Sequence, residues 1–237
     1  MFSHAPRFFF VLASASLSLV GSSPAWIGSL GPASSAGAPQ ETAAPKPLDL
    51  HGAKITFGAM GTEVIIQGYH ADAEHLDLAI AAARAEIDRV EDMMTSWRDS
   101  PLVRMNDGAD GTPHEVPKEL SDLVQRSMAV ARLSGGAFDP TYASVGKLWD
   151  FKATPPVLPP DEAIAAALQC VGWQKVQVDT EASTVAMPAG TRIGLGGIAK
   201  GYGVDRAMQV LIDRGVENAI VNAGGDQVLG RDVLVDE

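Results

Sequence analysis

The run Thr191-Arg192-Ile193-Gly194-Leu195-Gly196-Gly197-Ile198-Ala199-Lys200-Gly201-Tyr202 restricts what the chain can form more than any other stretch. It reads as a short strand, a glycine turn and a helix that continues to about Arg214 and stops at Gly215. A strand that passes through glycines into a helix leaves several backbone N–H groups without an internal partner. Those donors suit a phosphate or diphosphate. Glycine lets an oxyanion approach the backbone without meeting a Cβ. Lys200 falls in the first helical turn, where a cation is disfavoured by about 0.3–1 kcal/mol, so a nearby anion would explain it. The alternative is an ordinary strand-to-helix turn with a lysine facing solvent. Gly194-x-Gly196-x-x-Ala199 also fits the dinucleotide fingerprint of a Rossmann unit, with Glu217 near the acidic position. That fold needs βαβ crossovers, whereas the strands before this run read as a hairpin.

The start of the chain reads as targeting sequence. Residues 1–38 hold a weakly basic stretch from His4 to Arg7, an apolar run from Phe8 to Val20, and small-residue sites such as Ala36-Gly37-Ala38. A spanning helix needs roughly 20 apolar residues, and Ser14, Ser16 and Ser18 weaken that reading. Export to the periplasm or cell envelope is the expectation. An uncleaved N-terminus would instead associate the chain with a membrane. Residues 39–53 read as a flexible linker, and residues 54–237 as the folded domain. The net charge of −11 argues against a nucleic-acid partner, which would need basic surface. The single cysteine, Cys170, excludes an intramolecular disulfide and reads as a buried thiol on the apolar side of a helix.

Alternation at Ile55 and Phe57, a break at Gly58-Ala59-Met60-Gly61, and renewed apolar sequence at Val64-Ile65-Ile66 predict two strands or one bent strand. Asp72 is a plausible N-cap. Leu76, Ile80, Ala83, Ile87, Val90 and Met94 then recur at spacings of three and four, which places them on one helical face. The charged face of that helix (Arg84, Glu86, Asp88, Arg89) reads as solvated surface. Trp97 follows, either as a packing plug, the favoured reading, or as a flat wall for an aromatic ligand. Residues 106–116 read as a polar loop and residues 117–133 as a second helix ended by Gly135-Gly136. In Gly135-Gly136-Ala137-Phe138-Asp139-Pro140-Thr141, Asp139 is expected to brace an irregular turn. A third helix over 161–171, a hairpin with a turn at Asp179-Thr180-Glu181-Ala182, and a strand over 219–223 ending in Gly224-Gly225-Asp226 complete the reading. Apolar strand edges at Val228-Leu229 and Val233-Leu234-Val235 lead to the expectation that the chain is incomplete.

The histidines are scattered, and there is no zinc-type spacing. What remains is four glycine-bearing turns, at Met60, Gly135, Gly196 and Gly224, with Asp139, Asp226 and Trp97. The turns at 135, 196 and 224 are expected to converge on one pocket for a diphosphate ligand with a flat ring. An oxygen-ligated Mg²⁺ would suit such a ligand.

These residues resemble the ApbE family, the FAD:protein FMN transferases. The matching segments run in the family's order: Met60-Gly61-Thr62, Thr95-Ser96-Trp97 through Asn106, the stretch from Gly135 to Thr141, and Leu148-Trp149-Asp150-Phe151. Gly196-Gly197-Ile198-Ala199-Lys200-Gly201-Tyr202 with Asp205 and Asn222-Ala223-Gly224-Gly225-Asp226 follow. The resemblance implies an α+β fold of mixed or antiparallel sheet packed with helices, truncated at its C-terminus. It implies transfer of FMN from FAD to a Thr or Ser hydroxyl of an exported flavoprotein, releasing AMP, with Mg²⁺ required. Met60 and Trp97 would then line the flavin and adenine surfaces, Ala137, Phe138, Asp139 and Lys200 would contact FAD, and Gly197 would offer Mg²⁺ a backbone carbonyl.

Two departures follow from the same resemblance. Gly194 stands where the family usually has an aspartate, removing one FAD contact. The side-chain metal ligands, an aspartate and a threonine, and a histidine-containing segment would lie beyond residue 237, so no catalytic base is assigned. On that ground these 237 residues are expected to be inactive or nearly so. The alternatives are a FAD-binding or FAD-hydrolysing relative and a non-catalytic flavin-binding protein.

Overall fold

Residues 51–70 fold as one antiparallel hairpin, β1 (His51–Ala59) and β2 (Thr62–His70), joined by Met60 and Gly61 alone. A two-residue connection of this kind matches the strand twist when both residues take positive φ, and here φ is 52° at Met60 and 74° at Gly61. The computed structural model describes residues 49–150, 153–155 and 157–230. The targeting reading of 1–38, most of the 39–53 linker, Phe151 and the Val233-Leu234-Val235 edge lie outside the described residues. Regular structure starts at His51, three residues before the expected onset at Lys54.

β2 alternates as a half-buried strand should, with Val64, Ile66 and Gly68 inward. It pairs antiparallel with β6 (Asn218–Ala223), whose inward residues are Ala219, Val221 and Ala223. The register sets Val64 opposite Ala223 and Ile66 opposite Val221, so one apolar face is continuous across two strands distant in sequence. β7 (Asp226–Leu229) returns from β6 through Gly224-Gly225 and completes a sheet in the order β1-β2-β6-β7.

Helix α1 (Ala73–Met94) covers that face. Asp72 caps it by accepting a hydrogen bond from His75 N at 3.1 Å, a contribution of about 1 kcal/mol. The six residues picked out by the helical spacing are all buried. α6 (Ala199–Asp213) lies beside α1 in the same core.

A second core gathers the end of α1, α2 (Pro101–Asp107), α3 (Lys118–Leu133) and a small sheet in the order β3-β5-β4: His114–Glu115, Thr184–Ala186, Gln177–Asp179. Met60 packs against both cores. α2 takes in Asn106 and Asp107, the first two residues of the expected 106–116 loop. Ser100 caps it by accepting from Val103 N at 3.0 Å, and Pro101 fills its first turn, where a missing N–H costs nothing.

α4 (Ala143–Gly146) and α5 (Asp161–Leu168) complete the helices among the described residues. α5 ends three residues short of the expected 171 and buries none of its residues, so Cys170 lies past its end and is only half-buried. The short strand expected at the start of the 191–202 run does not form. Its backbone N–H groups bond to the Ser144 and Asn106 side chains and to the Pro188 and Pro140 carbonyls rather than to a neighbouring strand.

Candidate functional site

A cleft of about 800 Å³ opens where the Met60 turn, the loop after α1 and the 191–200 run meet. That volume lies within the range of about 300–1,000 Å³ usual for ligand pockets. Its residues come from parts of the chain more than thirty positions apart, so each wall is fixed separately.

Met60 forms the first wall. Its left-handed backbone is held by Glu91, whose Oε2 accepts a hydrogen bond from Met60 N at 2.6 Å. Its side chain lies over Gly203, where an ideal Cβ would stand 3.0 Å from Met60 Sδ. A larger residue at 203 would push Met60 out of the cleft wall.

Trp97 forms the second wall, and it is not the packing plug favoured from sequence. Its side chain is 63% exposed, with Cη2 near the Met60-Gly61 turn. The loop that carries it is pinned at both ends. Thr95 N donates to Glu91 O at 2.8 Å, Ser100 Oγ donates to Thr95 O at 2.7 Å, and Arg98 pairs with Asp92 and Glu91. Glu91 thus touches both the Met60 turn and the Trp97 loop.

The 191–195 run forms the floor. Arg192 N donates to Ser144 Oγ at 2.8 Å, Ile193 N to Asn106 Oδ1 at 2.7 Å, and Gly194 N to the Pro140 carbonyl at 2.8 Å. Asn106 Nδ2 returns a bond to Ile193 O at 2.9 Å. No side chain caps the start of α6, which follows the Gly196-Gly197 turn. Lys200, in the first turn of α6, folds back so that Nζ donates to Gly196 O at 2.9 Å. Lys147, Arg192 and Lys200 line the cleft together with Glu91; Arg192 is paired with Asp107 at 2.8 Å, and Glu91 with Arg98.

Behind this floor, a charged network ties α6 to α1 and α3. Arg89 bridges Glu86 and Glu119, and Arg206 also holds Glu86. The Arg89 guanidinium, then Arg206, holds the Glu86 carboxyl down at about 2. Burial, then the hydrogen bond to Glu119, pushes the Tyr202 hydroxyl up to about 12. Part of the α1 face expected to be solvated is therefore a tertiary contact, with the Glu86 side chain only 12% exposed.

The ApbE family pattern matches residues 60–233. The chain belongs to the ApbE family. Among ApbE relatives, the FAD:protein FMN transferase of Vibrio cholerae serotype O1 is 32% identical over 150 residues, which is 60% of this chain and 45% of that protein. The FAD:protein FMN transferase of Treponema pallidum is 31% identical over 134 residues, 54% of this chain and 37% of that one. The chain spans about half the length of the curated relatives it matches, or less. In structure it superposes on the ApbE protein of Thermotoga maritima with a TM-score of 0.67 at 31% identity, covering 76% of this chain and 59% of that one. The flavin transferase ApbE of Vibrio cholerae gives a TM-score of 0.68 at 28% identity, covering 76% and 60%. The expected α+β architecture is the ApbE one.

Of the ApbE-type positions singled out in the sequence, Met60, Trp97 and Lys200 line this one cleft. Gly197 adjoins it, with an ideal Cβ 3.0 Å from Phe138 Cε2. Ala137, Phe138 and Asp139 are not among the lining residues. Asp139 braces its turn, accepting from Thr141 N at 2.9 Å and from Trp173 N at 3.1 Å. Of the three glycine turns expected to converge, the one at Gly196 is in the cleft lining, and those at Gly135 and Gly224 are not. Gly196 reaches the cleft, whereas Gly224 packs on Thr62 and Gly136, beside Gly135, faces Trp173. The sheet register, with Val64 opposite Ala223, sets the Gly224 turn beside the Met60-Gly61 hairpin turn, where Thr62 covers it. Glu91, Asn106, Tyr142 and Arg192 were given no role from sequence. The cap-and-proline pair Ser100-Pro101 could have announced the helix that carries Asn106.

Proposed function

We propose that this chain forms the FAD-binding part of a flavin transferase that moves FMN from FAD to a Thr or Ser hydroxyl of an exported flavoprotein, releasing AMP. One observation carries the reading: Met60, Trp97, Gly196 and Lys200, distant in sequence, line one cleft. The two ring systems of FAD match its aromatic walls, and the diphosphate matches the uncapped start of α6 and the Lys200 ammonium. In the transfer, the acceptor oxygen bonds to the phosphorus on the FMN side as the bond from that phosphorus to the bridging oxygen breaks. AMP departs with the bridging oxygen, and the hydroxyl proton passes to a general base. The chain's own contribution is to fix the dinucleotide so that the acceptor oxygen meets the phosphorus in line, an effect worth several kcal/mol.

Mg²⁺ belongs to this proposal for the transfer reaction as a whole. Among the described residues, no group of three or more His, Cys, Asp or Glu side chains is placed to hold a metal. Glu91, the carboxylate in the cleft lining, is taken up by Met60 N and Arg98. A hard, oxygen-seeking ion needs more than the Gly197 carbonyl, so these residues do not by themselves fit it. Export to the periplasm or cell envelope is likewise part of the proposal, resting on the N-terminal sequence.

The test is titration of the chain with FAD, followed by incubation with FAD, Mg²⁺ and an acceptor flavoprotein. Saturable FAD binding with quenching of tryptophan fluorescence is the expected result, and no binding would refute the reading. Flavin fluorescence on the acceptor in a denaturing gel reports transfer. Free FMN in its place would mark hydrolysis.

A further inference from the structure

Tyr142 occupies a slot in the cleft that two glycines keep open. An ideal Cβ at Gly194 would stand 3.0 Å from Ala143 Cβ, 3.2 Å from Tyr142 Cε1 and 3.4 Å from its Cζ. One at Gly146 would stand 3.2 Å from both Cδ2 and Cε2. The two glycines therefore lie against opposite edges of the same ring. Neither takes a positive φ, so what glycine supplies at these positions is close approach rather than an unusual backbone. The residues around the ring are also fixed. Gly194 is tied to the Pro140 carbonyl, and Arg192 and Ser144 are joined by the bond from Arg192 N.

A ring seated at both edges would ordinarily be core, yet Tyr142 is 52% exposed and lines the same cleft as Trp97 and Trp149. A large aromatic face held in place and open toward a cleft is preorganised for a flat ligand, because little freedom remains to be lost on binding. Lys147, one turn further along, adds a cation to the same wall.

We propose that Tyr142 is a ring-binding residue: its seated aromatic face takes one of the two flat heteroaromatic ring systems of the dinucleotide and so helps set which dinucleotide the chain accepts. This rests on the FAD reading above. Aromatic stacking tolerates any flat ring, so the adenine and the isoalloxazine are both chemically suited, and half-ligands tell them apart.

The experiment titrates the wild-type chain and the variants Tyr142→Phe, Tyr142→Leu and Gly194→Ala with FAD, FMN, riboflavin and AMP. Calorimetry reads affinity, and thermal melting followed by circular dichroism reports the fold. Tyr142→Leu keeps apolar bulk in the slot and removes the ring face, and it is expected to weaken FAD binding about 5- to 100-fold. Tyr142→Phe keeps the face and is expected to bind nearly as wild type. Gly194→Ala crowds Ala143 Cβ and the ring edge together while Tyr142 is still present, and it is expected to weaken binding in the same direction. A loss confined to FMN and riboflavin assigns the isoalloxazine, and a loss confined to AMP assigns the adenine. Wild-type FAD affinity in a folded Tyr142→Leu chain would overturn the inference and leave the FAD reading standing. Absence of FAD binding by the wild type would overturn both.

Discussion

Asn106 and Ile193 are joined through both ends of the Asn106 carboxamide, with Nδ2 donating to the Ile193 carbonyl at 2.9 Å and Oδ1 accepting from Ile193 N at 2.7 Å. Both residues are buried, at 6% and 1% exposure, so water does not replace either bond. A carboxamide alone among side chains of this size offers one donor and one acceptor in that geometry. Asn106→Leu would leave two buried backbone groups unpaired, each costing about 1–3 kcal/mol. The expected result is a loss of about 2–5 kcal/mol in urea unfolding, with weakened FAD binding because the cleft floor is released.

Gly224 offers a sharper case of tight packing. Its φ is 62°, and an ideal Cβ there would stand 2.5 Å from Thr62 Oγ1. Gly225 has φ 105° but open space around its Cβ position. Gly224→Ala therefore adds a clash to the backbone strain, and a loss of about 2–4 kcal/mol is expected. Gly225→Ala should cost less, since strain acts there alone. Adding Thr62→Ala to Gly224→Ala should recover part of the loss, and denaturant unfolding of the four chains would expose that non-additivity.

Periodicity carried the sequence reading where a face is buried on one side. The six inward residues of α1 and the alternation of β2 were legible because burial imposes those spacings. The 191–195 run misled for a related reason. Its apolar residues are buried, but its partners include Asn106, Ser144 and Pro140, distant in sequence, and no local pattern encodes them. A tryptophan after a buried helix end reads as packing inward, whereas Glu91, Arg98 and Ser100 hold this loop with the ring outside. Motif residues named Met60 and Lys200, yet only the tertiary fold brings them to one cleft and leaves Asp139 bracing a turn elsewhere.

The network joining α1, α3 and α6 predicts two pH limits. Glu86 is held at about 2, below its ordinary 4.5, first by Arg89 and then by Arg206. Glu119 is lowered too, chiefly by Arg89. A carboxyl depressed in the folded state binds its proton more readily when unfolded. The stabilisation is therefore complete above about pH 4.5 and is lost as pH falls toward 2. The guanidinium groups are partly solvated, which limits the effect to about 1–2 kcal/mol. Tyr202 has the opposite sign. Raised from 10 to about 12, it contributes below pH 10 and is lost as pH rises through 12. Urea unfolding across pH should show both limits, and Glu86→Gln should flatten the acid one.

Metal removal gives a further prediction. The described residues offer Mg²⁺ no carboxylate cluster, so FAD affinity of this chain is expected to be the same in EDTA as in Mg²⁺. Calorimetric titration in the two buffers measures it, and a clear loss in EDTA would show that the cleft recruits the ion.

Trp97 separates binding from stability. Because its side chain is 63% exposed, Trp97→Ala removes little buried surface, and a change within about 0.5 kcal/mol is expected in denaturant unfolding. The loop itself is held by Thr95, Arg98 and Ser100 rather than by the indole, so its course should persist. Loss of a stacking wall, in contrast, should weaken FAD binding about 5- to 100-fold. Trp97→Phe retains a ring and should restore most of that affinity. An unfolding loss comparable to a core substitution would instead make Trp97 a packing residue, and unaltered FAD binding would remove it from the site.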